Sequence, residues 1–264
     1  MKRRRFLQSS LITGTSLGLS AKALADTAPK KKQEYYELRV YTLKNDVQQR
    51  TVELYLKDAA IPALNKQGAK RVGVFTELQP AGAHTNLYLV IPFPSVEHFS
   101  DMDLNMAKDI TYQQAATDYL TAPADAPAYE RVQSSLLKAF SGMPNIVAPD
   151  TSKERIFELR RYESPSEYAG KKKIEMFNEG GEIEIFKRTG LTPVFFGESI
   201  IGEARPNLTY LLTFDNMEAH DKNWKTFLND PEWVRIKSIP EYADKLIISK
   251  ITRTFLKPTT YSQL

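Results

Sequence analysis

Between Tyr35 and Leu43 the side chains alternate in kind: Glu37, Arg39 and Tyr41 share one parity, and Leu38 and Val40 the other. Successive side chains of an extended strand point to opposite faces, so the stretch predicts a strand with one ionic and one apolar face. The order returns 121 residues later as Phe157-Glu158-Leu159-Arg160-Arg161-Tyr162, against Tyr36-Glu37-Leu38-Arg39-Val40-Tyr41.

The pattern around each copy predicts the same series of elements. After the first strand, Asn45-Asp46 reads as a turn or cap. A helical segment follows over 47–67, with Leu54, Leu56, Ala60, Ile61 and Leu64 as its apolar face. Pro62 predicts a kink or break in it and Gly68 a C-cap. Strands are predicted over 71–78 and 86–93. Ser95 caps a helical region reaching Leu120 in pieces, and a fourth strand covers 131–140. After a Gly- and Pro-bearing linker at 141–152, the series restarts: strand 156–162, helix 164–188 interrupted at Gly180-Gly181, C-cap Gly190, and strands 192–200 and 208–214. A helical region capped by Asn216 and passing Asp230-Pro231, then a strand over 245–256, complete it.

Each half is thus β-α-β-β-α-β, the ferredoxin-like order. Phe75-Thr76-Glu77 corresponds to Phe196-Gly197-Glu198 at the same spacing, and Lys138 to Arg253 at 115 residues. The fold class predicted is α+β: tandem repeats at 34–140 and 153–264. The helix-free face of one sheet covers that of the other, closing a pseudo-dimeric barrel in a single chain.

The N-terminus is a different kind of segment. Lys2-Arg3-Arg4-Arg5-Phe6-Leu7, an uncharged run from Leu11 to Leu19, and Ala23-Leu24-Ala25 predict a twin-arginine export signal over 1–25. Residues 26–33 read as a disordered tether, and the mature protein as periplasmic or secreted, without a membrane anchor. The formal charge of +4 belongs to the signal. Without its five basic residues the chain holds 31 basic and 32 acidic side chains, which removes the compositional case for nucleic-acid binding. With no cysteines there are no disulfides or thiolate metal sites, so the 239 residues after Ala25 must be held by their core alone.

The Glu-Leu-Arg-x-Tyr strands, the helices ending at Gly68 and Gly190, the Phe-x-Glu strand and Asp230-Pro231-Glu232-Trp233 resemble the NIPSNAP family, over the whole chain after Gln33. The resemblance implies the dimeric α/β-barrel group. That group includes cofactor-free oxygenases, isomerases, dehydratases and haem-binding enzymes, so it implies no single chemistry.

With Leu38 and Leu159 toward the helices, Glu37, Arg39, Tyr41, Glu158, Arg160 and Tyr162 would point between the sheets, joined there by Glu77 and Glu198. They form either Glu–Arg bridges fixing the sheet contact or a polar ligand site. In the second reading Arg160 is an electrophile and Glu158 or Glu198 a general base. His84, His98 and His220 do not align between repeats and offer no metal-ligand spacing, so no metal and no cofactor is expected. Trp224 and Trp233 read either as core or as a cover over one end of a cavity. Lys171-Lys172-Lys173 reads as a solvated helix face. The expected partner is a small polar or anionic molecule in the barrel interior. A cofactor-independent enzyme and a scaffold stand as alternatives, and self-association is left open.

Overall fold

A computed structural model describes residues 32–80 and 82–264. The export signal read at 1–25 and all but the last two residues of the tether lie outside them.

Eight antiparallel strands form a closed barrel. They are β1 (Tyr35–Leu43), β2 (Gly73–Glu77), β3 (Thr85–Phe93), β4 (Arg131–Ala139), β5 (Ile156–Glu163), β6 (Thr192–Ile201), β7 (Asn207–Phe214) and β8 (Lys250–Pro258). Their order around the barrel is β1-β3-β2-β8-β5-β7-β6-β4. Each repeat contributes one four-stranded sheet, and the sheets join through β2–β8 and β4–β6. Closure leaves neither sheet with a free edge.

Helices cover the outside. In the first repeat they are α1 (Asp46–Leu54), α2 (Ile61–Lys66), α3 (Val96–Met106), α4 (Ile110–Ala115) and α5 (Thr117–Leu120). In the second they are α6 (Glu167–Asn178), α7 (Glu182–Arg188), α8 (Met217–Leu228), α9 (Pro231–Lys237) and α10 (Asp244–Ile247). The side chains of Asn45, Ser95 and Asn216 accept from the backbone N–H groups of Gln48, His98 and Ala219, capping α1, α3 and α8. Gly68 and Gly190 end their helices at φ of +89° and +84°, where a Cβ is disfavoured. The helix does not break at Pro62. A π-helical turn, Tyr55–Ala60, joins α1 to α2 and absorbs the donor that proline lacks. The strand predicted from residue 245 begins at Lys250, because Asp244–Ile247 forms a helical turn first.

Which strand face looks inward is the reverse of the expectation. Tyr36, Phe75, Val90, Leu137, Phe157, Leu159, Phe195, Leu211 and Leu256 form one cluster drawn from all eight strands, and it fills the barrel. Tyr36 meets Phe195 at 5.0 Å and Phe75 meets Phe157 at 4.8 Å between ring centres, each pair bridging the two sheets. The Glu-Arg-Tyr face instead lies beneath the helices, with Tyr41 and Tyr162 in the two sheet–helix cores. Burying the aliphatic and aromatic parity where no helix can shield it removes the larger apolar area from water. The polar interior predicted from the sequence is therefore corrected to a mainly apolar one. Polar groups on that face, Glu77 with Tyr88 and Arg161 with Glu163, stand at one end of it.

Candidate functional site beneath the second helical layer

β5 alternates so that Phe157 and Leu159 enter the barrel while Glu158, Arg160 and Tyr162 face α6 and α8. Glu158 is fully buried and engaged at both oxygens. Arg160 Nη1 donates to Oε1 at 3.0 Å, and Trp224 Nε1, on α8, donates to Oε2 at 2.9 Å. One turn earlier on α8, His220 Nε2 lies 3.3 Å from the same Oε2, out of hydrogen-bond alignment, while its Nδ1 is 2.8 Å from Asp221. Arg160 divides its donors: Nη2 reaches the Tyr162 hydroxyl at 2.8 Å, and the guanidinium lies 4.3 Å from the centre of the Trp224 ring. Burial works against the Arg160 charge, and the oxygens of Tyr210, Tyr162 and Glu158 more than offset it, so Arg160 stays cationic.

A second ion pair lies under the same helices. Lys173 on α6 is buried, with Nζ 2.9 Å from Glu182 at the start of α7 and 3.4 Å from Met176 Sδ. The rings of Phe177, Tyr162 and Trp233 surround it at 4.6, 5.5 and 5.7 Å from Nζ. Burial pushes the Glu182 carboxyl up, against the pull of Lys173. Lys173 is therefore not part of the solvated face predicted from Lys171-Lys172-Lys173. It was legible at helical spacing, since Ala169, Lys173, Met176 and Phe177 share one buried stripe.

Between these pairs is a cavity of about 550 Å³, lined by Arg160, Tyr162, Lys173, Glu182, His220, Trp224 and Trp233 among others. Three of its lining residues carry buried nitrogens with no partner: Arg160 Nε and Trp233 Nε1, which can only donate, and His220 Nε2. A donor left in that state costs about 1–3 kcal/mol. The tryptophans take both roles read for them. They pack in the core and they wall a cavity.

The first repeat holds the same motif closed. Arg39 grips Glu37 bidentately at 2.8 and 2.9 Å, and Ser134 donates to Glu37 at 2.7 Å. Above them Tyr41, Tyr55, Tyr112, Tyr119 and Tyr129 form an aromatic block. Tyr55 stacks on Tyr119 at 3.7 Å, and the pairs Tyr41–Tyr119 and Tyr55–Tyr112 are joined through their hydroxyls at 2.9 and 3.1 Å. A hollow in that half, lined by Asp46, Arg50, Thr51, Asp58 and Tyr119, reaches neither Glu37 nor Arg39.

Two expected members are elsewhere. Glu77 accepts from Tyr88 and Asn86 on the barrel-facing side. Glu198 pairs in register with Lys138 and lines a separate outer groove with it. An irregularity between Pro193 and Phe195 shifts β6 by one residue relative to β2, so Phe196 faces the helices while Phe75 faces the barrel. The pairing of Lys138 with Arg253 as equivalents also fails. Ser134 stands opposite Arg39 where Arg253 stands opposite Arg160.

The NIPSNAP family profile matches residues 36–141 and again 157–263. Among solved structures, the chain overlays a candidate monooxygenase from Fusobacterium nucleatum with a TM-score of 0.56. They share 10% identity, covering 86% of this chain and 93% of that one. A candidate monooxygenase from Lactobacillus acidophilus gives a TM-score of 0.54 at 10% identity, covering 86% and 94%. A NIPSNAP-like domain protein from Burkholderia xenovorans overlays 41% of this chain and 88% of its own at 18% identity, with a TM-score of 0.36. No curated protein matches the chain in sequence. At these identities the first two overlays speak for the fold alone.

Proposed function

This chain belongs to the NIPSNAP family, whose unit it carries twice, and from that premise we propose that its second unit binds a small organic molecule with a flat apolar body and an anionic or carbonyl oxygen. The observation that carries the reading is the pair of unpartnered donors, Arg160 Nε and Trp233 Nε1, on the wall of a cavity with aromatic sides. The flat body would lie against Trp224, Phe227 and Trp233, with the oxygen turned toward the Arg160 side of the cavity. Binding is favoured over base catalysis by Glu158, because that carboxylate already accepts from Arg160 and Trp224. Glu198 is remote from the cavity. The N-terminal sequence features, Arg3-Arg4 through Ala23-Leu24-Ala25, support an encounter with the ligand outside the cytoplasm.

The test is native mass spectrometry of the full chain, followed by titration with aromatic carboxylates. Trp224 and Trp233 are the protein's two tryptophans and both line the cavity, so their emission reports its occupancy. A retained small molecule in the wild type, lost on Arg160→Leu and kept on Arg39→Leu, is the expected result. An empty wild-type protein whose emission no aromatic carboxylate alters would overturn the proposal.

A further inference from the structure

Lys173 and Glu182 are unexplained by a role in binding alone. An ion pair taken wholly out of water gains little or nothing over an apolar pair of the same volume. This one stands on the wall of a cavity, where a lysine without water around it resembles the desolvated amines that act as nucleophiles. Nζ lies 2.9 Å from the Glu182 oxygen, within reach of direct proton transfer. Burial favours the protonated form of Glu182, as does Asp244, against Lys173 and Arg160.

We propose that Lys173 is a reactive amine that forms an imine with an aldehyde or ketone bound in the cavity, with Glu182 as its proton partner; this rests on the cavity admitting small molecules. The Nζ lone pair attacks the carbonyl carbon, the C=O π pair goes to oxygen, and the proton that nitrogen gives up passes to that oxygen to give a neutral carbinolamine. The nitrogen lone pair then forms the C=N bond as the C–O bond breaks, Glu182 gives its proton to the departing hydroxyl, and water leaves. One C=N bond has replaced one C=O bond and nothing is oxidised or reduced. The cationic imine then sits among the rings of Tyr162, Phe177 and Trp233 that now surround the ammonium, with the Glu182 carboxylate beside it.

The probe is 4-carboxybenzaldehyde, a flat aromatic aldehyde with an anionic end, incubated with the full chain at neutral pH and trapped with borohydride. Peptide mapping is expected to place the reduced adduct on Lys173 about tenfold ahead of exposed Lys171, despite its burial. Lys173→Arg should lose that adduct while the adducts on exposed lysines remain, and Glu182→Gln should slow its formation. Quenching with adducts confined to exposed lysines overturns this proposal and leaves the binding reading standing. Absence of both quenching and a Lys173 adduct overturns the two together.

Discussion

The two repeats carry one motif and use it differently. In the first, Arg39 spends two nitrogens on Glu37 and five tyrosines fill the space above. In the second, Arg160 gives Glu158 one nitrogen and Tyr162 another, and Trp224 supplies the carboxylate's second bond from α8. What differs is the helical layer. Tyr119 and Tyr129 close one half from α5 and the segment before β4, while Trp224 and Trp233 wall the other and leave room between them. A duplicated strand can thus be kept for its ionic face while the helices decide whether that face becomes core or binding site.

The largest effects should come from opening the closed half. Tyr119→Ala removes the ring stacked on Tyr55 and the partner of Tyr41, and is expected to cost about 3–5 kcal/mol in urea unfolding. Arg39→Leu leaves Glu37 buried beside Ser134 alone, for a loss of about 3–5 kcal/mol. Arg160→Leu should cost less, because Trp224 and His220 remain beside Glu158, and its main effect should be on ligand retention. If the two arginine variants prove equal in stability, the proposed asymmetry is wrong.

The strands, the caps at Asn45, Ser95 and Asn216, the glycine stops and the duplication were all legible in the sequence, because each is set by local chemistry. Which face of β1 and β5 turns inward was not. Alternation tells which residues share a face, and only the competition between the barrel interior and the helical layer tells where that face goes. The four-residue slip between Lys138 and Arg253 has a similar cause, since a spacing read along the chain ignores register across it. Glu158 and Arg160 stand out from their pattern as candidates. Lys173, Glu182 and His220 are not legible as cavity residues from the charge run or from the histidine spacing, because only their places on buried helix stripes bring them together.

Smaller effects sharpen the contrast. Tyr119→Phe keeps the ring and deletes one hydroxyl pair, for about 1 kcal/mol. In the open half, Glu182 contributes a pH dependence of opposite sign to an ordinary ion-paired carboxylate. Its folded pKa is raised above the ordinary 4.5, so the folded state holds its proton longer and stability falls as pH climbs from that value through the raised one. Glu182→Gln should therefore gain on the wild type over that window, in unfolding followed by tryptophan emission. A difference that does not change with pH would remove Glu182 from the account.

The most direct test of an open second half and a closed first is a crystal of the full chain soaked in benzoate. The account predicts density against Arg160, Trp224 and Trp233, and none beside Glu37 and Arg39. Density beside Arg39, or an empty cavity at full soak, would contradict it.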